Sequence, residues 1–430
     1  MEAQHDPQQQ MLKRLAELIG AGQEVGEPLL IRALSSDESP ESLTALKRWT
    51  PVLSSVRKSP GEPVRAAAVD LLTRQGFSAE EALEAVSIVI RSVLAQVGEG
   101  TYTVAPDGSG HFTRLQDAVS EVPDGSTLRL APGTHHIKHQ LTLSKPRTLI
   151  GAGAGQTVIY VKEGLPFQCS LDGLIRASGL TIRCEEGESV QVFKGRLEMI
   201  GCHIEGGKGA QIGPFRAQGV GLRVKGEAFV QDCEFRGYEH AGAVVDGEGQ
   251  LTLERCLFEG ASDGSLAAVH VKEKGEATVR DCQINHDHRP AGIHVAGNGR
   301  ALLEGNRSVR TILIEGRATA ECRRNTLSNF LHGIRVRENA RAVLEENTIE
   351  QCAWSILFHD QASGAARRNI CRDTTNGGIQ VNTTGTVDLE ENRCERFADV
   401  GINVGKSARG TLRGNHCTDG RGDGIRVGDK

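Results

Sequence analysis

A formal net charge of -5 over 430 residues gives no polybasic field for nucleic acid. No run of about 18 apolar residues exists to cross a membrane, so neither partner is expected. The length exceeds one ordinary globular domain, and 52 glycines with 4% aromatic residues suit a repeat in which each unit packs only on its neighbours.

Residues 1–97 have helical grammar, with apolar positions spaced for one face in Met11-Leu12-Leu15-Leu18-Ile19, Leu29-Leu30-Ala33-Leu34 and Ala82-Leu83-Val86-Val89-Ile90-Val93. Pro28, Ser39-Pro40 and Ser59-Pro60-Gly61 punctuate them, and Ser78-Ala79-Glu80-Glu81 reads as a capping box, giving about five helices. Such a small α-helical domain serves either as a docking or dimerisation module or as a cap on the neighbouring domain. Residues 98–102 read as a linker, and residues 103–430 as one long domain.

The stretch Val104-Ala105-Pro106-Asp107-Gly108, continuing through Thr113 to Val122 as a short helix and on to Leu128-Arg129-Leu130-Ala131-Pro132-Gly133, resembles the opening coil of pectin methylesterases and other β-helical carbohydrate enzymes. Leu149-Ile150-Gly151-Ala152-Gly153 is not a dinucleotide loop, because the run after it, Val158-Ile159-Tyr160-Val161, reads as a strand. Residues 162–216 are less regular, with loops expected at Lys162-Glu163-Gly164 and at Gly206-Gly207-Lys208-Gly209.

From about Gly221 two signatures alternate. An anchor of form Asn-x-apolar or Cys-x-apolar falls at Cys202, Cys233, Cys256, Cys282, Asn306, Asn325, Asn347, Asn369, Asn392 and Asn415, and the last four steps from 325 are 22, 22, 23 and 23 residues. Gly-apolar-x-apolar recurs with it, as in Gly292-Ile293-His294-Val295, Gly333-Ile334-Arg335-Val336 and Gly401-Ile402-Asn403-Val404. That period, built of short alternating strands, marks a solenoid, and the inward positions are too short of leucine for a leucine-rich repeat. The motifs resemble the right-handed parallel β-helix repeat over roughly the last three quarters of the chain. The expected fold is therefore mainly β, a right-handed parallel β-helix solenoid with a small N-terminal α-helical domain. Stacked asparagines can pair amide to amide at the strand spacing of about 4.8 Å. Two residues after each anchor an inward side chain is expected: Ile204, Phe235, Phe258, Ile284, Leu327, Ile349, Cys371, Cys394 and Cys417.

Most of the eleven cysteines thus fall at inward positions, and no C-x-x-C pair exists. They read as reduced thiols acting as small hydrophobes, which together with a polar N-terminus suggests a cytoplasmic protein. No metal site and no cofactor is expected.

The third residue of the glycine signature should point outward and stack as an exposed row: Arg223, Val244, His270, His294, Leu313, Arg335, Leu357, Gln380, Asn403 and Arg426. Of these, Arg223, His270, His294, Arg335, Gln380, Asn403 and Arg426 are the candidate binding residues. The densest titratable cluster, His286, Asp287 and His288 with His294, is the candidate for general acid and base work. The resemblance to the esterases implies two oxyanion-stabilising glutamines. Gln218 matches the first, but Glu239 stands at the second and would repel a developing oxyanion. Only Asp263 lies near an expected catalytic aspartate, so methylesterase chemistry is not retained. The paired aspartates of polygalacturonases and the calcium-and-arginine motif of pectate lyases are not recognisable. The leading reading is a β-helix that binds a protein or a glycan along one flank; the alternative is a carbohydrate-active lyase, hydrolase or epimerase with its site near His286–His294. Because a full repeat strand, Gly424-Ile425-Arg426-Val427, stands almost at the end of the sequence, a homodimer through that end of the solenoid is also expected.

Overall fold

The computed structural model describes residues 99–430 apart from 213–214, 261–264, 286–290, 329–330 and 429–430, together with scattered positions between 66 and 83; the backbone alone is described at 171, 210–212 and 215–217. Ala66, Val69, Asp70, Thr73, Arg74, Ala79, Glu80 and Leu83 are helical, the last three following Ser78, the first residue of the expected capping box. The rest of the region expected to be helical lies outside the described residues.

The chain divides into two compact units, residues 1–136 with 145–152, and residues 137–144 with 153–430. In the described part of the first, the strands Thr101–Val104, Thr127–Leu130 and Arg147–Ile150 pair in parallel in that order. Tyr102, Val104, Phe112, Leu128, Leu130 and Leu149 are buried, as are Leu115, Ala118 and Val122 in and just past the short helix Leu115–Glu121. That helix ends without a basic residue of its own. Arg147 supplies the missing cation from a distant strand: its buried guanidinium donates to the carbonyl oxygens of Val122 at 2.7 Å, Val119 at 3.2 Å and Pro123.

The second unit is a parallel β-helix. Each regular coil contributes three short strands, for example Ala291–Val295, Arg300–Glu304 and Arg307–Ser308, and each strand pairs in parallel with its counterpart one coil later. The first coils are longer: Thr157–Ser178 is one continuous strand that contains Lys162, Glu163 and Gly164, so the loop expected there is a strand, paired Glu163 to Glu186 and Gly164 to Gly187. At 206–209 no strand continues and only Lys208 keeps a parallel bridge, to Glu186, before the chain runs into the antiparallel pair Ala210–Ile212 and Phe215–Ala217.

The anchors form the expected ladder. Asn306, Asn325, Asn347, Asn369 and Asn392 are all buried, and each donates through Nδ2 to Oδ1 of the next anchor at 2.9 Å, ending on Asn415. The same Oδ1 accepts the backbone N–H of the preceding anchor at 3.0 Å, so every amide oxygen from Asn325 to Asn415 is used twice. Earlier in the chain cysteine fills the same slot. The Cys282 N–H donates to Asn306 Oδ1 at 3.0 Å, and the Cys256 N–H donates to Cys282 Sγ at 3.4 Å. A thiol can take the place of the amide because the ladder chiefly needs an acceptor for a backbone N–H.

The glycine signature has a steric origin. A Cβ at Gly333 would lie 2.3 Å from Ile349 Cγ2 and 2.5 Å from the Ser355 carbonyl oxygen, and one at Gly378 would lie 2.4 Å from Cys394 Sγ. Ile349 and Cys394 are the inward residues two places after anchors Asn347 and Asn392, so glycine and anchor meet across the narrow coil, which is why the two signatures share one period. Phe235 and Phe258, at the equivalent place in earlier coils, stack with centroids 4.5 Å apart and planes 7° from parallel.

The corner before each anchor is left-handed. Asp232, Arg255, Asp281, Arg324, Glu346, Arg368 and Glu391 all have φ between 50° and 56° there, while Gly305 and Gly414 occupy it at 65° and 61°. The residue one place earlier is register-paired from coil to coil as Glu254, Arg280, Glu304, Arg323, Glu345, Arg367, Glu390 and Arg413, alternating in charge without exception. Several of these neighbours pair directly, Arg280 with Glu304 at 3.3 Å and Arg367 with Glu390 at 3.5 Å.

Candidate functional site

The outward row exists, in one unbroken register. It runs Thr142, Gln168, Gln191, Arg223, Val244, His270, His294, Leu313, Arg335, Leu357, Gln380, Asn403, Arg426, and so begins three coils before the stretch expected to carry it. It is not the exposed surface that alternation suggests. His270 and His294 are buried at 8% and 7% exposure, Val244 and Leu357 are buried outright, and Arg223, Arg335, Gln380, Asn403 and Arg426 are half-buried. One reason is that row members cover one another: the His270 and His294 rings lie face to face, 4.7 Å apart and 5° from parallel, with the His240 ring 6.2 Å from His270.

Two charged networks are built on the row. In the first, Arg223 grips the buried Glu188 carboxylate with Nε at 2.9 Å and Nη2 at 2.7 Å, reaches Asp246 Oδ2 with Nη1 at 3.0 Å, and also donates to Gln218 Oε1 at 3.0 Å. Gln191 donates to Glu188 at 2.6 Å, and Lys272 lies 3.5 Å from Asp246. Burial pushes the Glu188 carboxyl up, but the hydrogen bonds and charge of Arg223 more than offset it and hold it below the usual carboxylate range. Burial lowers the Arg223 guanidinium, and Glu188 and Asp246 more than restore it.

In the second, the His294 ring pairs through Nε2 with Glu315 Oε1 at 2.9 Å, and Arg337 Nε donates to the other Glu315 oxygen at 2.5 Å. Burial raises the Glu315 carboxyl, and Arg337 and His294 together bring it below its ordinary value. The Nδ1 atoms of His270 and His294 are buried with no hydrogen-bond partner among the described residues. Burial, then the neighbouring charges of His294 and His240, push the His270 imidazole down to about 3.

That depression has a sign that can be measured. With a folded pKa below the ordinary 6.5, His270 contributes its full stability above that pH and loses it as pH falls from 6.5 towards about 3. His240, His332 and His359 are depressed in the same direction, mainly by burial. Chemical unfolding followed from pH 7 to 5 is expected to show falling stability, and His270→Gln to remove up to about 1.4 kcal/mol per pH unit of that slope. An unchanged slope in the variant would show that His270 is free to protonate in the folded chain.

Asp246, Lys272, Glu315 and Arg337 were not singled out from the sequence. Each lies two residues after a row position and one place past the end of its strand, so period-two alternation, run on beyond the strand, carried the signal. Of the candidate catalytic residues, His286, Asp287 and His288 lie outside the described residues, as does Asp263. Gln218 accepts from Arg223 through Oε1 at 3.0 Å, and the Glu239 carboxylate accepts the Gly209 N–H. Arg426, at the far end of the row, is held by Asp423 at 2.8 Å and Asp399 at 3.2 Å.

Comparison with known proteins agrees with the geometry. Residues 310–430 match the family described as "Right handed beta helix region", and residues 200–366 match "Periplasmic copper-binding protein (NosD)". No curated protein matches the chain. Among solved structures, a PL6 alginate lyase in complex with a trisaccharide superposes with a TM-score of 0.53 at 14% identity, covering 73% of this chain and 82% of that one. The PL6 polysaccharide lyase Pedsa3628 from Pseudopedobacter saltans gives 0.46 at 13% identity, covering 75% and 93%, and the pectin methylesterase from Aspergillus niger gives 0.31 at 14%, covering 73% and 86%. The chain carries a right-handed parallel β-helix.

The NosD match overturns the cytoplasmic placement, since the family so described is periplasmic. The thiols misled for a physical reason. Ten of the eleven cysteines are buried in the stacked interior and Cys417 is half-buried, so packing alone keeps them apart from oxidants in any compartment. Burial pushes the Cys322 and Cys184 thiols up to about 12. The described residues do not fit a copper ion: no group of three or more His, Cys, Asp or Glu is placed to hold a metal, His270 and His294 are stacked face to face, and His294 Nε2 is taken by Glu315.

Proposed function

We propose that this right-handed parallel β-helix binds an extended glycan along the row from Gln191 to Arg426. One observation carries the reading: planar polar side chains stand in strict register on a rigid sheet of coils about 4.8 Å apart, at eight of the eleven row positions from Gln191 to Arg426, buried or half-buried rather than loosely solvated. Such side chains are ordered before a ligand arrives, so binding costs little further side-chain entropy. A sugar chain offers hydrogen-bonding groups at every residue to match them, whereas a protein partner calls for a contiguous apolar centre, and here the apolar members Val244, Leu313 and Leu357 stand singly between polar ones. The trisaccharide bound by the alginate lyase supports a saccharide on this fold.

The test is a glycan array followed by titration calorimetry on the best hit, with the intact chain and with a Gln380→Ala/Asn403→Ala variant. Both residues are half-buried on the outer face, so the fold should persist. The variant is expected to bind at least about tenfold more weakly, as loss of two hydrogen bonds to ligand implies. Equal affinity would remove the row from recognition.

Catalysis on that glycan has one observation in its favour. Glu315 orients His294 and is itself oriented by Arg337, the arrangement that prepares an imidazole for general base work. The same bound glycan, incubated with the chain and found uncleaved and unepimerised, would leave binding as the whole activity.

A further inference from the structure

Arginines on and beside the row are matched to carboxylates: Arg223 to Glu188 and Asp246, Arg337 to Glu315, and Arg426 to Asp399 and Asp423. Arg335 is the exception. Among the described residues no carboxylate pairs with it, and its Nε is buried without a hydrogen-bond partner. Its register neighbours in the row are leucines, Leu313 before it and Leu357 after it, so apolar walls stand where other row arginines meet acids. Two residues beyond Leu357 on the same strand face stands His359, whose Nε2 is also buried and unpartnered among the described residues, and His332 opens the strand that carries Arg335. The adjacent acid, Asp360, already accepts the Glu338 N–H at 3.0 Å.

We propose that Arg335, with His332 and His359, forms an anion subsite in the row that takes a carboxylate or sulfate group of the glycan, so that the ligand is an acidic polysaccharide. The inference rests on the glycan reading for its ligand class, but not for the existence of the subsite. A half-buried guanidinium between leucines presents a planar fork of donors in surroundings of low dielectric, where a charge-assisted bidentate pair is strong. Burial, and then the Arg335 charge, depress both imidazoles, so at neutral pH they are uncharged and each offers one ring N–H. The cluster carries a single positive charge, and one monovalent group balances it.

The experiment has two arms, with Arg335→Gln and Arg335→Lys beside the unaltered chain. In the first, thermal unfolding is followed with sodium sulfate or sodium chloride at matched ionic strength. Sulfate is expected to raise the unfolding temperature of the unaltered chain more than chloride does. That excess should fall in Arg335→Gln to the general stabilisation that sulfate gives by exclusion from the protein surface, and fall less in Arg335→Lys, which keeps the charge but loses the fork. The same excess in Arg335→Gln, or none in the unaltered chain, overturns the subsite, and this arm decides it without any sugar. In the second arm, hexagalacturonate and its uncharged methyl ester are titrated. Arg335→Gln should lose at least tenfold more affinity for the acid than for the ester. Equal loss for both, or loss for neither, overturns the acidic ligand. Should sulfate protect through Arg335 while no oligosaccharide on the array binds, the subsite stands and the glycan reading of the row is the part that fails.

Discussion

Asn369→Leu is expected to lower the stability of the β-helix by more than about 3 kcal/mol, read as a shift of its urea midpoint. The side chain takes part in four hydrogen bonds: Oδ1 accepts from the N–H and Nδ2 of Asn347, and Nδ2 donates to Asn392 Oδ1 and to the Leu344 carbonyl. Leucine removes all four, and the stranded Asn347 donors and Leu344 acceptor lie in a region that water does not reach, each costing about 1 to 3 kcal/mol. Asn369→Cys makes the informative partner, because four earlier coils carry cysteine at this position and a thiol still accepts a backbone N–H. It should recover much of the loss. A leucine variant as stable as the parent would mean that the ladder orders the coils without stabilising them.

Gly333→Ala should cost about 1 to 3 kcal/mol, large for the addition of one methyl. Gly333 does not adopt a positive φ, so the penalty is purely steric. The new Cβ would lie 2.3 Å from Ile349 Cγ2 and 2.5 Å from the Ser355 oxygen, and the second of these is backbone held in the sheet. Ile349→Ala, added to Gly333→Ala, can relieve only the first clash. The double variant should therefore remain well below Ile349→Ala alone in thermal unfolding, and equality of the two would show that the next coil shifts freely.

The repeat was legible because its two signatures answer demands that few residues meet: an acceptor beside a buried backbone N–H at the anchor, and no side chain at all where Ile349 or Cys394 crosses the coil. The outward row was legible for a simpler reason, the alternation of a strand. Alternation gives the side of a sheet and says nothing of depth, so His270 and His294 were expected in solvent and lie beneath their neighbours. Nor does it give partners. Glu188 meets Arg223 across 35 positions of sequence and Glu315 meets His294 across 21, distances that only the stacking of coils closes. Lys162-Glu163-Gly164 read as a loop for its charge and glycine, yet the long first coils hold it in a ladder, because pairing with Glu186 and Gly187 satisfies its backbone.

The alternating charges beside the anchors give this β-helix a second repeat length. Sterically its unit is one coil, but electrostatically it is two, since Glu345 must be followed by Arg367 and Arg367 by Glu390. Excising residues 347–368 would rejoin the ladder Asn325 to Asn369 without a break in shape, yet set Glu345 directly against Glu390. Excising 347–391 would bring Glu345 to Arg413 and keep the sequence of signs. Each exposed pair is worth only about 0.2 to 1 kcal/mol, but the penalty of a mismatch falls at a single junction, where like charges stand one strand apart. A chain of this kind can therefore lengthen or shorten most smoothly by coils taken two at a time, and the parity of its coils is written on its surface rather than in its core.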